Sequence, residues 1–183
     1  MDAEHGPWIE DRQEIPYFAL PVVTDMDSLA RDVPPVEDKL LSLVGYTGAD
    51  PYPIFWRYTS INMSGALRVD VGARLTGPLP ATTAGNTGVL PAGRYLCRLH
   101  QGDPGGVAKA TGRLLDWAQV QGLVFDRPAS DPDGWTCRLE EYLVDPADAP
   151  DPGDWRIRIA LKLTDTPQVQ HLAEHPAAVP EPT

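Results

Sequence analysis

Two stretches alternate with a period of two, and they fix the kind of fold this chain adopts. In Leu67–Leu75 (LRVDVGARL), Leu67, Val69, Val71, Ala73 and Leu75 share one face, while Arg68, Asp70 and Arg74 share the other. In Trp155–Leu163 (WRIRIALKL), Trp155, Ile157, Ile159, Leu161 and Leu163 do the same. That period matches a pleated strand and no helix, so the chain must build a sheet with a buried face.

Further elements follow from their punctuation. Ile15–Val23 is apolar but broken by Pro16 and Pro21, which predicts an edge strand. Pro34–Val44 opens on two prolines, carries Glu37 and Asp38 in its first turn and stops at Gly45, which predicts a helix. Ile54–Ser60 and Val89–Leu99 are expected strands, and 76–88 a loop. Gly105–Gln121 places Val107, Ala110, Leu114 and Ala118 on one stripe and ends at Gly122, a second helix. Trp135–Val144 is another strand. The order is strand, helix, strand, strand, twice over. This predicts an α+β fold made of two strand–helix–strand–strand modules related by a pseudo-twofold. They would form an antiparallel sheet with helices on one face and a ligand cleft on the other. The domain is expected over 14–164, its halves about 14–76 and 88–164, with flexible tails at 1–13 and 165–183.

Charge and composition narrow the function. The formal charge is −11, which repels phosphate backbones, so nucleic acid is not an expected partner. No apolar run approaches the roughly 20 residues of a membrane span, and the acidic N-terminus is no signal peptide. A cytoplasmic location without membrane contact is expected, with Cys97 and Cys137 reduced and buried. His171 and His175 have zinc-compatible spacing but lack a third ligand, so no metal or other cofactor is expected.

Aligning the third element of each half places Tyr58 and Tyr142 at matching positions, with Trp56 and Glu140 two residues earlier. Alternation puts Trp56 with Tyr58 and Glu140 with Tyr142. If Trp135, Cys137, Leu139 and Leu143 meet the helix, Glu140 and Tyr142 face away from it, into the cleft. A carboxylate among rings suits a flat, delocalised cation, through a Coulomb attraction of up to about 4 kcal/mol and cation–π terms of about 0.5–2 kcal/mol per ring. The alternative for Glu140 is a solvated carboxylate, or one paired with Arg138 or Arg68. Glu141 falls on the apolar face, with an exposed strand edge as its only reading.

LPAGRY (90–95), LLDWAQVQGL (114–123), RLEEYLVDP (138–146), PDPGDWRIRIALKL (150–163) and PYPIFWRY (51–58) together resemble the GyrI-like small-molecule-binding domain. That domain serves gyrase-inhibitory proteins and the effector-binding part of multidrug-responsive regulators. The resemblance covers about 14–163 and implies Glu140 and Tyr142 as pocket residues, with Trp56 and Tyr58 on the opposite wall. Tyr95 and Trp155 are second-rank candidates. It also implies a stand-alone member that binds lipophilic, cationic or planar aromatic compounds. The alternative is a hydrolase of cyclopropane-bearing genotoxic products, with Glu140, Tyr142 and Tyr58 as its catalytic groups. A protein partner is a third possibility, from the gyrase-binding relatives. The proline-broken first segment and short first helix depart from the family pattern.

Overall fold

The computed structural model describes residues 6–44, 53–75 and 84–165. Its strands are β1 (Trp8–Arg12), β2 (Ile15–Thr24), β3 (Ile54–Ile61), β4 (Leu67–Arg74), β5 (Asn86–Leu90), β6 (Gly93–Gln101), β7 (Arg138–Tyr142) and β8 (Arg156–Lys162). Its α-helices are α1 (Leu29–Asp32), α2 (Pro34–Val44) and α3 (Val107–Val120). The strands form one antiparallel sheet in the order β1-β6-β8-β7-β3-β4-β2-β5.

Two short links force this sheet to curl. Gln13–Glu14 joins β1 to β2, and Pro91–Ala92 joins β5 to β6, yet each pair stands six places apart in the sheet. Flat, such strands would lie about 29 Å from one another. A two-residue link reaches at most about 11 Å. The sheet therefore bends until its two ends approach, with Gly93 at φ +132° where the chain enters β6.

The curl makes two cores. Inside it, Tyr17, Phe55, Tyr95, Cys97, Cys137 and Leu139 pack together with Ala19 and Ala160. Small residues are needed on this concave face: a Cβ on Gly72 would lie 2.5 Å from the Phe55 ring. On the outer face, Leu40 and Val44 of α2 and Val107, Ala110, Leu114 and Ala118 of α3 cover the sheet. Helix α2 lies over β4 and β2, and α3 over β6 and β8. The central pair β7–β3 runs between the helices.

Several expectations change. Trp8–Arg12 was expected as part of a tail but pairs with β6 as β1, because Arg12 reaches Glu141 across the inner face at 3.0 Å. Glu141, expected at an exposed edge, is buried and held also by Arg158 at 2.7 Å. β2 is covered along Ile15–Ala19 by β5, so it is not the edge. Val89–Leu99 is two strands six places apart in the sheet, since Pro91 breaks the ladder. α1, a single short turn, was not anticipated.

Candidate functional site

The site lies on the strip of sheet left between the helices. In the β3–β7 pairing Trp56 stands opposite Glu140 and Ile54 opposite Tyr142. Directly opposed residues of an antiparallel pair bring their Cβ atoms to about 4.5–5.5 Å. Trp56 and Tyr142 meet with ring centroids 5.3 Å apart, tilted by 43°. Tyr58, two residues along β3, donates its hydroxyl hydrogen to Glu140 Oε2 at 3.1 Å. The four side chains expected to gather do gather, and all are buried, Glu140 at 8% exposure.

They gather on the other face from the one expected. Glu140 and Tyr142 point to the helix-bearing side, and Cys137 and Leu139 point into the curl. A cleft opposite the helices was the wrong placement. Leu139, Glu140, Glu141 and Tyr142 are all buried, so both faces of β7 are covered, one by helices and one by the sheet itself. Alternation separates two faces but does not say which cover each receives.

Burial sets the electrostatics. Removal from water pushes the Glu140 carboxyl up to about 7, with Arg138 and the Tyr58 hydrogen bond pulling the other way. Burial, and then the charge of Glu140, holds both the Tyr58 and Tyr142 hydroxyls well above their ordinary range. Both therefore remain protonated donors at neutral pH. Arg138, one of the ion-pair partners expected for Glu140, has a larger part in the site. It lies over the Tyr58 ring at 5.4 Å and the Trp135 ring at 5.0 Å, a fixed cation at one end of the site.

Glu37 was missed as a site residue. It was read as a helix-start acid, yet its Oε1 accepts the Trp56 indole N–H at 2.6 Å. Burial raises its carboxyl above the ordinary range, and the Trp56 hydrogen bond lowers it in part. Nothing in the local pattern signals this contact, which depends on how α2 is rotated against β4 and β2.

The second-rank candidates separate. Tyr95 lies inside the curl, beneath the Arg12 guanidinium at 4.8 Å, with its hydroxyl donating to the Pro91 carbonyl at 2.7 Å. Its position on β6 points it away from Glu140, because Leu96 takes the helix side. Trp155 flanks the helix-side core and donates its indole N–H to the Ala149 carbonyl at 2.8 Å. His171 and His175 lie outside the described residues. Among the described residues no group of three or more His, Cys, Asp or Glu is placed to hold a metal. No described helix is long and apolar enough to cross a membrane.

The arrangement is a proton-titrating carboxylate, two hydroxyl donors and an indole face, desolvated together. It can hold a cation against rings, or hold and release one proton near neutral pH.

Among curated proteins none matches the chain in sequence. Solved structures share its fold. EcmrR in an EcmrR–DNA complex superposes with a TM-score of 0.68 at 14% identity, covering 88% of this chain and 58% of that one. The chain thus spans less than two thirds of EcmrR, whose C-terminal domain alone gives a TM-score of 0.65 at 15% identity, covering 88% and 98%. SAV2435 bound to tetraphenylphosphonium gives 0.59 at 7% identity, covering 87% and 94%. A hydrolase from Listeria innocua gives 0.56 at 14%, covering 89% and 94%. A DNA-bound regulator stands among these structures, so the comparisons give no support to excluding nucleic acid from the wider system. The model for the GyrI-like small molecule binding domain matches residues 36–164. The chain belongs to the family of GyrI-like small molecule binding domains.

Proposed function

We propose that this domain binds lipophilic cations and planar aromatic compounds on the strip between α2 and α3. Glu140 supplies the charge, and Trp56, Tyr58 and Tyr142 supply the walls. One observation carries the reading: a carboxylate at 8% exposure, raised to about 7, shares a face with three rings. A group so desolvated gains more from a positive guest than from water. The tetraphenylphosphonium complex of SAV2435 adds support at the level of fold. Recognition by few directional bonds favours breadth over tightness, with affinities nearer micromolar than nanomolar. The test is titration with tetraphenylphosphonium and rhodamine 6G. Binding by the native protein and its loss in Glu140→Gln support the reading, and equal binding by both sinks it.

A second reading has its own support in a carboxyl that titrates near neutrality, and in the Listeria innocua hydrolase of similar fold. Ionised Glu140 would take a proton from a water as its oxygen bonds to a cyclopropane carbon. The ring bond breaks, and its electrons pass to a conjugated carbonyl held by the Tyr58 or Tyr142 hydroxyl. The product carries one added water. Mass spectrometry after incubation with an activated cyclopropane separates the readings, because a binder returns the compound unchanged.

A further inference from the structure

The two carboxylates of the site are not equivalent. Glu140 has a fixed cation beside it, Arg138, on the same face of β7. Glu37 has no such lysine or arginine among the described residues: the Trp56 indole N–H donates to it at 2.6 Å, and the acid Asp38 adds to its negative surroundings. Among the described residues no lysine or arginine pairs with Glu37. The remaining stretches, 1–5, 45–52, 76–83 and 166–183, contain no lysine or arginine at all. Trp56 ties the two acids into one unit. Its backbone position faces Glu140 across the β3–β7 pairing, its indole nitrogen ends on Glu37, and its ring leans on Tyr142. The Tyr142 hydroxyl senses the charge of both acids. The result is a face of rings that joins two carboxylates, one of which has no lysine or arginine paired with it among the described residues.

We propose that Glu37 is a second anionic anchor, and that the preferred ligands are planar aromatic dications presenting one positive end to Glu37 and the other to Glu140. This rests on the small-molecule reading above and narrows it to a ligand class. A monocation can satisfy only one acid and leaves the other, buried Glu140 or half-buried Glu37, without a positive guest.

The experiment compares 4′,6-diamidino-2-phenylindole with the same phenylindole bearing a single amidine, by fluorescence titration of native protein, Glu37→Gln and Glu140→Gln. Glutamine keeps an oxygen that accepts the Trp56 bond, so Glu37→Gln removes charge while leaving the ring held. Matching thermal melts check that the variant is folded. In the native protein the dication is expected to bind about tenfold tighter than the monocation, or about 1.4 kcal/mol. Glu37→Gln is expected to erase that advantage, so that the two probes bind with equal affinity within about threefold. Trp56→Phe, which keeps a ring but frees Glu37, should retain part of the dication preference. If Glu37→Gln leaves the preference intact while Glu140→Gln abolishes binding, Glu37 merely positions Trp56. The inference then fails alone. If native protein binds neither probe, the small-molecule reading fails and takes this inference with it.

Discussion

Trp56 and Glu140 face one another across the central antiparallel pair, on the helix-bearing side of the sheet between α2 and α3. Every element of the candidate site is reached from this pair. Tyr58 follows Trp56 on β3, Tyr142 follows Glu140 on β7, and Glu37 descends from α2 onto the indole. The same relationship yields predictions about stability, pH and ligand affinity.

Glu140→Gln should stabilise the fold at pH 8 while removing cation binding. The Glu140 carboxyl titrates near 7 in the folded protein and near 4.5 when unfolded, so between those values the folded state holds more protons. Stability from this group is full below about pH 4.5 and declines as pH rises through 7, by about 3 kcal/mol at most. Urea unfolding of native protein and Glu140→Gln at pH 5 and pH 8 checks this. Parallel pH dependence in the two would contradict it.

Affinity for a permanent cation should fall as acid protonates Glu140. Above pH 8 it is expected to be flat, and below 7 it should approach about tenfold loss per pH unit. Tyr58→Phe removes the donor that favours the ionised carboxylate, so its midpoint should move to higher pH. Titration with tetraphenylphosphonium from pH 5.5 to 8.5 reads both, and a midpoint unmoved in Tyr58→Phe would count against the hydrogen bond.

Arg12→Ala should loosen β1 and destabilise the protein by about 2–4 kcal/mol, because it strips one of two guanidinium partners from buried Glu141. Hydrogen exchange should accelerate first across Trp8–Arg12. A change below about 0.5 kcal/mol would mean that Arg158 alone suffices for Glu141.

Gly72→Ala should cost about 1–3 kcal/mol by overpacking the inside of the curl. The new methyl would meet the Phe55 ring at 2.5 Å and the Phe18 carbonyl oxygen at 2.9 Å. Phe55→Leu in the same chain should recover part of the loss, since only the ring contact is relieved. Melting temperatures of the single and double variants decide it.

Much of this was legible along the chain because it depends on near neighbours. The alternation in Leu67–Leu75 and Trp155–Leu163 became β4 and β8, and the paired prolines before Glu37 opened α2 at residue 34. The side-chain period of a strand likewise puts Glu140 with Tyr142, and Trp56 with Tyr58, on one face of each strand. Local sterics and hydrogen bonding set such features, and a few consecutive residues carry them whole.

Other features belong to contacts between residues far apart in sequence. Which side of the sheet the helices cover was hidden, because curling buries the opposite face just as thoroughly and each face of β7 carries one glutamate. Residues 8–12 looked like a solvated end because Glu141, the charge that retains Arg12, lies 129 positions away. Glu37 looked like a helix-start acid because its contact with Trp56 depends on the rotation of a whole helix. The composition of a single segment cannot encode the burial of a charge. That depends on which segments pack around it, and here burial is what turns Glu140 from an ordinary acid into a group poised near neutral pH.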